Sequence, residues 1–489
     1  MSIHQVELWF FLPALLALYW LGVGRRVWQN AALVLGGFAF YWAWNPSLVW
    51  VLALAIGVDY GLGRFMGAEG RPEGQRKAAL ALSLVYNLGQ LGYFKYVGFF
   101  ATSFNELMSA AGLNASAPVL KIALPLGISY FTFSKMAYVI EVYYRRTPVC
   151  TSLLDFAAWV SFFPQLAAGP IVRPSQLLPQ LAEGRRPSAA VIGAGARAFL
   201  LGFALKAYVA DWLGPNIVDP IMSAEADYSA AMHWLGVVGY ALQIFGDFAG
   251  YSLMAIGLGR LFGLELPENF NFPFLSQSLM DFWRRWHITL NTWLFDYLYG
   301  PLTLSRGWWR GRLDLGFLVV FAISGLWHGA AWGFVVWGVM HGVALVVERR
   351  WGEFYKGLCR KDRAWVKRRQ TRAYALLAWG LTQLWFVLTL IPFRIHDLGD
   401  MSDFARGLFV SSGTTTPPGL ESLRELQNFA VILAFLVAWH LSTTRLGQAA
   451  WRRFEAAPAP LRGVAYGLAL VYLFIFVPLS AGTFVYANF

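Results

Sequence analysis

The sequence predicts an all-α protein that crosses a membrane many times. Long apolar runs recur along the whole 489-residue chain, each close to the ~20 residues needed to span the hydrocarbon of a bilayer. The composition agrees, with 57% hydrophobic residues, 13% charged residues and a mean hydropathy of +0.49, whereas an average globular protein is about 25% charged. The alternating segments of ~10 residues that are typical of a membrane β-barrel are not visible. These observations predict a polytopic helical membrane protein.

The apolar runs predict about 11 to 13 crossings by their length, in one membrane domain that covers residues 1–489. We divide it into N-terminal spans at about 8–112, a core at about 118–350 and C-terminal spans at about 373–489. The predicted spans are about Leu8–Val23, Val27–Trp44, Leu48–Met66, Ala78–Phe100, Ile122–Tyr144, Phe156–Pro170, Val191–Trp212, Trp234–Phe262, Ala373–Phe393, Phe429–Leu441 and Val464–Leu479.

Two segments do not fit a simple span. Ser276–Tyr299 is apolar but contains five charged or titratable side chains, so we predict an interfacial or re-entrant helix packed within protein. Leu313–Val347 is too long for one crossing at 1.5 Å per residue. Gly325 and Gly329 predict a break close to His328, which would give two spans or broken helices.

The net charge of +12 is concentrated in loops. Residues 349–372 contain ten Lys or Arg side chains and two acidic ones. Basic loops between apolar spans are typical of the cytoplasmic side, and the alternation of spans then puts both termini outside. Contact with anionic lipid headgroups or with an anionic donor is the alternative use of this charge. Since the charge lies between spans, we do not predict nucleic-acid binding.

Several common functions have no motif in this chain. Gly-x-Ser-x-Gly and His-Glu-x-x-His are absent, and the seven histidines are too scattered to predict a zinc site. The two cysteines, Cys150 and Cys359, lie in basic loops, where a disulfide is not expected. The first apolar run has no basic segment before it and no cleavage site, so it is read as a span and not as a signal peptide.

The histidines inside the longest apolar run are the first candidates for chemistry. His328 and His341 lie within Leu313–Val347, where a polar side chain costs free energy, roughly 2–3 kcal/mol for a charged one on insertion scales. Each is either catalytic or a hydrogen-bonded packing residue. On one continuous helix their spacing corresponds to about 220° of rotation, so they would meet only if the chain breaks between them.

A second candidate is the segment Asp281–His287, with the sequence Asp-Phe-Trp-Arg-Arg-Trp-His. On a helix, His287 would lie over Trp283 and Arg284. Arginine suits phosphate, so Arg284 and Arg285 would hold an anionic thioester donor; the alternative is an interfacial helix with arginines that snorkel. Lys95, beside aromatic residues, is read as a snorkelling lysine at a span end. Asp247, in mid-span, would orient a histidine or arginine or line a pore.

The chain resembles the membrane-bound O-acyltransferase (MBOAT) family, in its bacterial polysaccharide branch of the alginate type. Motifs that carry this resemblance occur in the same order and spacing. They are Leu91–Tyr96, Leu124–Phe133, Phe162–Pro170, Gly250–Ser252, Met254–Gly259, Pro267–Phe270, Phe282–Ile288, Asp296–Tyr299 and Gly325–Gly329. The chain departs from the family at Leu253, at Phe295 and at Thr303–Gly307, which leaves the acceptor or partner open.

The resemblance implies a ring of transmembrane helices around a central tunnel, with the acyl donor arriving from the cytoplasm. It implies that His328 is catalytic and that His287 is a second tunnel residue; His341 matches a further family histidine. We assign catalytic roles to His328 and His287. We assign supporting roles to His341, Asp247 and Asp296, and donor binding to Arg284, Arg285, Trp283 and Trp327. No metal and no bound cofactor are predicted, and acetyl-CoA is the predicted co-substrate.

We therefore predict an O-acetyltransferase of the bacterial inner membrane, with periplasmic termini. It would move acetyl groups towards a periplasmic exopolysaccharide, or towards a partner protein that acetylates it, in contact with membrane lipid. His328 would act as general base on the acceptor hydroxyl, since imidazole exchanges a proton near neutral pH. Two alternatives stay open: D-alanyl transfer to teichoic acid from a carrier protein, and transport of a polysaccharide or lipid-linked sugar. A scaffold that works only with docked partners is a variant of the first hypothesis.

Overall fold

The structure is a computed structural model that describes residues 7–120, 122–166, 169–223, 228–304, 307–410, 412–415, 420 and 422–476. These residues form helices and connecting loops, with two isolated bridges that pair Tyr228 with Thr414 and Ser229 with Ser412. Cys150 and Cys359 are free thiols, as predicted. The all-α prediction is confirmed.

The first half of the described chain contains long helices separated by short ones. They are α1 (Leu8–Leu21), α2 (Arg26–Trp44), α3 (Val49–Gly67), α4 (Glu73–Leu91), α5 (Val97–Ala110), α6 (Ile128–Tyr143), α7 (Leu153–Val160), α8 (Phe163–Leu166), α9 (Pro174–Leu181), α10 (Ala189–Phe203), α11 (Asp211–Leu213) and α12 (Asp219–Ile221). A 3₁₀ turn precedes α3 at Pro46–Leu48, and π-helical turns occur at Gly92–Tyr96, Ala204–Ala210 and Gly214–Val218.

The second half of the described chain contains His287, His328 and His341. Its helices are α13 (Ala230–Leu261), α14 (Leu279–Arg285), α15 (Ile288–Leu294), α16 (Gly300–Leu304), α17 (Leu313–His328), α18 (Trp332–Lys361), α19 (Arg363–Arg369), α20 (Arg372–Arg394), α21 (Leu398–Val410), α22 (Leu423–Leu441), α23 (Arg445–Ala456) and α24 (Ala459–Phe476). A 3₁₀ turn at Pro273–Leu275 precedes α14, and a π-helical turn at Phe295–Tyr299 follows α15.

Four helical segments of the described chain are long and apolar enough to cross a membrane: Pro46–Gly67, Ala189–Ile221, Ala230–Leu261 and Arg372–Arg394. A fifth results if α22 and α23, bent by 98°, are taken together, and Phe10–Leu21 and Leu313–His328 are shorter apolar helices. Other predicted spans are short or polar; α4, for example, begins with Glu73, Arg76 and Lys77. The number of crossings, like the single domain, the ring and the tunnel, stays a prediction.

Two predicted elements are wrong in detail. Phe156–Pro170 is not one long span, because the described part of it forms the end of α7, a turn and the single turn of α8. Ser276–Tyr299 is not one helix, because α14 ends at Arg285 and α15 begins at Ile288. Hydropathy gives the composition of a segment and does not give its path.

The predicted break in Leu313–Val347 is confirmed. Gly329 and Ala331 are both extended, with φ of −160° and −150°, so α17 stops at His328 and α18 starts at Trp332. Gly325 does not break the helix as expected. Instead, a Cβ there would lie 2.1 Å from the Phe334 carbonyl oxygen. Its lack of a side chain therefore lets α17 and α18 pack closely as a hairpin.

The buried side chains form two apolar clusters. One cluster contains residues of α1–α4, α6–α10 and α13 together with Trp293 and Trp327. The other contains residues of α13, α14, α18 and α20–α22, among them Trp283 and Trp337. Since Trp327 and Trp337 both contact His328, this histidine lies at the seam between the two clusters.

Candidate active site

His328 is the last residue of α17 and is buried, with 4% of its surface exposed. Its ring lies 5.0 Å from those of Trp327 and Trp337 and 5.3 Å from that of Phe393, between ring centroids. The centroid of the His287 ring is 6.5 Å away. The fold therefore brings together two histidines that lie 41 residues apart in sequence.

His287 occupies the gap between α14 and α15 in a left-handed conformation, with φ of 45° and ψ of 52°. The predicted continuous helix, with His287 over Trp283 and Arg284, is therefore wrong. A non-glycine residue in this region costs of order 1–3 kcal/mol and persists only where the surroundings enforce it. The turn directs the buried His287 ring towards Trp327, at 5.8 Å, and His328.

Asn269 fixes the protonation of the His287 ring. The Asn269 Oδ1 atom accepts hydrogen bonds from the Thr289 amide at 3.2 Å and the Thr289 hydroxyl at 2.9 Å, which identifies it as the oxygen. His287 Nδ1 lies 3.2 Å from the same oxygen and must therefore donate to it. A neutral His287 then has a lone pair on Nε2, an atom with no hydrogen-bond partner in the part of the chain described.

His341 lies farther along α18 and does not touch His328. Trp337 stands between them, 5.0 Å from His328 and 4.9 Å from His341. The Thr389 hydroxyl donates to the Phe386 carbonyl at 2.7 Å, so His341 Nε2, at 3.0 Å, donates to Thr389 Oγ1. A neutral His341 therefore also presents a lone pair, on Nδ1.

The histidines are surrounded by unused hydrogen-bonding groups. Six buried polar atoms of connected side chains have no partner among the described residues: His287 Nε2, His341 Nδ1, the indole nitrogens of Trp283, Trp327 and Trp337, and the Tyr130 hydroxyl. Native proteins contain few such atoms, and each needs a reason, such as water or a ligand. A substrate with acceptor and donor groups would satisfy these atoms.

α14 holds Trp283 against His341, with ring centroids 4.9 Å apart. The Glu348 carboxylate, on α18, accepts the Leu279 amide at 2.6 Å and the Met280 amide at 3.4 Å, which fixes the start of α14. On the same helix, Arg284 is exposed, whereas Arg285 bonds Asp281 at 2.9 Å. Of the two predicted donor-binding arginines, Arg284 is therefore the more accessible to a ligand from solution.

The two predicted supporting aspartates lie in ion pairs. Asp247 is fully buried and pairs with Lys206 at 2.7 Å, while Lys206 also bonds Asp211 at 2.6 Å. Asp296, in the π-helical turn, pairs with Arg173 at 2.5 Å and is partly exposed.

A cleft of about 600 Å³ lies at the Arg394 end of α20, whose other end begins at Arg372, the last of the basic residues 349–372. It is lined in part by His233, Arg394, His396, Asp397, Asp400 and Asp403. The His396 ring lies 4.5 Å from Phe334, which is 5.0 Å from Phe393, and Phe393 is 5.3 Å from His328, between ring centroids. Ring contacts through Phe334 and Phe393 therefore connect the cleft wall at His396 with His328.

Sequence reasoning missed the residues that position the histidines: Asn269, Thr389, Glu348 and Lys95. Asn269 lies within the motif Pro267–Phe270, which carried the family resemblance but was given no role of its own. No sequence pattern indicated a role for Thr389. Lys95 does not snorkel to an interface as predicted. Its Nζ atom instead reaches the carbonyl oxygens of Trp327, at 2.5 Å, and His328, at 3.1 Å.

Comparisons with known proteins identify the family of this chain. The MBOAT, membrane-bound O-acyltransferase family matches residues 32–391. The probable alginate O-acetylase AlgI of Azotobacter vinelandii is 40% identical over 71% of this chain and 68% of its own length. The corresponding Pseudomonas aeruginosa protein is 36% identical over 88% and 79%. The peptidoglycan O-acetyltransferase of Helicobacter pylori is 32% identical over 78% and 74%. The chain therefore belongs to the membrane-bound O-acyltransferase family and is a membrane O-acyltransferase.

Proposed function

We propose that the protein transfers an acetyl group from a cytoplasmic thioester, of the acetyl-CoA class, to a hydroxyl on the periplasmic side of a bacterial inner membrane. The hydroxyl belongs to an exopolysaccharide or to a partner protein that passes the acetyl group on. The observation that carries this proposal is the buried pair His287–His328, beside buried polar atoms of Trp327, Trp337 and Tyr130 that have no hydrogen-bond partner among the described residues. Relatives named for alginate and peptidoglycan O-acetylation support the acetyl group and the polysaccharide.

The chemistry follows from the residues around His328. The imidazole takes the proton of the acceptor hydroxyl as the oxygen attacks the thioester carbonyl carbon. The carbon–sulfur bond breaks, and the imidazolium returns its proton to the leaving thiolate. The indole N–H groups of Trp327 and Trp337, both next to His328, are the donors for the negative charge that develops on the carbonyl oxygen. The buried setting limits hydrolysis of the thioester by water.

The two ends of the molecule support opposite routes for donor and acceptor. Arg284 and the basic residues 349–372 suit the phosphates of a cytoplasmic donor. The cleft beside His396 supports an approach of the acceptor from the other end of α20, because ring contacts through Phe334 and Phe393 connect it with His328. We therefore propose that the basic loop lies in the cytoplasm and the cleft in the periplasm.

The test is acetyl transfer by the purified protein in lipid vesicles, with radiolabelled acetyl-CoA and an oligosaccharide acceptor, with and without periplasmic partners. His328→Ala should reduce the rate at least ~10³-fold, as expected for the loss of both the acid–base step and its geometry, while the protein still elutes as a folded species. His440→Ala is the matched control, because His440 donates to the Leu436 carbonyl at 2.8 Å and its ring packs against Phe245, Phe272 and Phe274.

Full activity of His328→Ala would overturn the assignment of the base. Turnover with a D-alanyl carrier-protein thioester and none with acetyl-CoA would replace acetyl transfer by D-alanyl transfer. If no thioester is consumed under any condition while a polysaccharide crosses the vesicle membrane, transport would replace transfer.

A further inference from the structure

Lys95 lies in a widened turn of the chain, more than 200 residues from the site in sequence. The π-helical turn Gly92–Tyr96 joins α4 to α5, and such turns displace side chains from the positions that a regular α-helix gives them. Here the turn directs Lys95 and Tyr96 together at the end of α17. Lys95 Nζ donates to the carbonyl oxygens of Trp327 and His328, and the Tyr96 hydroxyl donates to that of Leu326 at 2.9 Å.

These contacts complete the hydrogen bonding at the end of α17. The last four carbonyl groups of a helix have no partner within it, and here they belong to Gly325, Leu326, Trp327 and His328. The Gly329 amide bonds the Gly325 oxygen at 3.4 Å. The other three oxygens receive donors from Lys95 and Tyr96. One turn from a distant part of the chain therefore holds the residue that carries the imidazole.

The contact satisfies main-chain groups that would otherwise lack a donor. A buried carbonyl without a donor is destabilising, and Lys95 serves two of them. Its amine also lies at the negative end of the helix dipole, where a cation is favoured, and 5.9 Å from the centroid of the Trp327 ring. Lys95 thus contacts both the main chain of His328 and the indole that we assign to the developing oxyanion.

We propose that Lys95 is a positioning residue for acyl transfer. Together with Tyr96 it fixes the end of α17. The His328 imidazole and the Trp327 N–H are thereby held in the positions where they act on the acceptor hydroxyl and on the carbonyl oxygen of the thioester. This inference rests on the proposed function of His328. Lys95 reaches main-chain oxygens and not the side chain of His328, so it acts through the placement of the helix end. A displacement of about 1 Å in such a site can cost about 10²-fold in rate.

The experiment compares kcat and KM for acetyl-CoA in vesicles for Lys95→Met, Lys95→Arg, Tyr96→Phe and the exposed control Lys77→Met. Lys95→Met should lower kcat about 10²-fold with KM within about twofold, because donor contacts are retained. Lys95→Arg should recover part of kcat, since a guanidinium also donates to carbonyl oxygens. Tyr96→Phe should lower kcat by about threefold to tenfold for one lost hydrogen bond, and Lys77→Met should match the wild type.

Wild-type kcat in Lys95→Met overturns the inference, as does a higher KM with unchanged kcat. If Lys95→Met fails to fold, Tyr96→Phe decides: a wild-type kcat in that folded variant overturns the inference as well. The outcome is separable from that of the proposed function. An active His328→Ala variant removes the proposed base, whereas an inactive His328→Ala beside a fully active Lys95→Met removes only the positioning role.

Discussion

The protein buries polar groups in two regions that differ in how completely they are bonded. In the first, among α3, α4 and α6, Lys135 Nζ lies 3.0 Å from Asp59 Oδ2 and 2.9 Å from Asn87 Oδ1, and Ser83 donates to Asp59 at 2.5 Å. These four side chains are fully buried. In the second region, around His287 and His328, six polar atoms have no partner among the described residues.

This difference separates a structural role from a catalytic one. A saturated network fixes the relative positions of helices and leaves nothing for a ligand to bind. An unsaturated cluster carries a cost that a substrate can relieve. The comparison predicts that substitutions in the first region reduce stability and leave the catalytic rate of the folded molecules unchanged. Substitutions in the second region should reduce the catalytic rate and leave the stability unchanged.

After His328→Ala, the largest expected effect is that of His287→Ala on the rate. The variant loses the Nε2 lone pair that would orient the acceptor hydroxyl beside His328, so we expect acetyl transfer to fall by about 10²-fold, the usual effect of a misplaced reacting group. The fold should persist, because Asn269 keeps its bonds to Thr289. Initial rates in vesicles and the elution profile of the detergent-solubilised protein measure the two quantities. A fully active, folded variant would contradict the functional reading of the second region.

Lys135→Met should have the next largest effect, on stability. It leaves Asp59 buried without its cation, and breaking a buried pair in this way costs about 3–5 kcal/mol. We expect a lower yield of folded protein and a lower midpoint of thermal unfolding, with an unchanged kcat for the molecules that fold. The double variant Lys135→Met/Asp59→Leu removes both charges and should regain part of the midpoint. A stable Lys135→Met protein with a reduced kcat would contradict the purely structural role of the first region.

Substitution of Arg284, the exposed arginine of α14, should have a smaller effect, on donor binding. Arg284→Gln should raise the KM for acetyl-CoA by about threefold to tenfold, as an exposed arginine–phosphate contact is worth little more than 1 kcal/mol, and the difference should shrink at high salt. Arg285→Gln is the matched variant and should change KM less, because Arg285 already pairs with Asp281. Equal KM values for the wild type and Arg284→Gln would exclude a role for Arg284 in donor binding.

Hydropathy predicted the long elements because membrane spans are set by composition. The bounds of α3, α13 and α20 agree with the predicted spans to within about four residues, and the break after His328 followed from the length of the run and from Gly329. The resemblance supplied His328 and His287, and the structure brings their rings within 6.5 Å of each other.

The contacts that position these residues could not be predicted, because they join distant segments. Lys95 bonds residues 232 and 233 positions away, and Lys135 bonds Asn87 across 48 positions. From sequence alone, a lysine in an apolar run looks the same whether it snorkels, pairs with an acid or caps a helix. The left-handed turn at His287 was also hidden, because nothing in Arg285–Ile288 is a glycine or a proline.

The smallest expected effect tests whether His341 belongs to the functional cluster or only to its packing. Thr389→Val removes the hydroxyl that accepts from His341 Nε2, so the ring loses the bond that keeps its lone pair on Nδ1. If His341 contacts substrate, the rate should fall by about twofold to fivefold, in line with one neutral hydrogen bond. Thr382→Val is the control on the same helix, because Thr382 is buried and its hydroxyl donates to the Ala378 carbonyl of its own helix, at 2.7 Å. Equal rates for the two variants, measured with saturating acetyl-CoA, would assign His341 to packing, and the functional cluster would then end at Trp337.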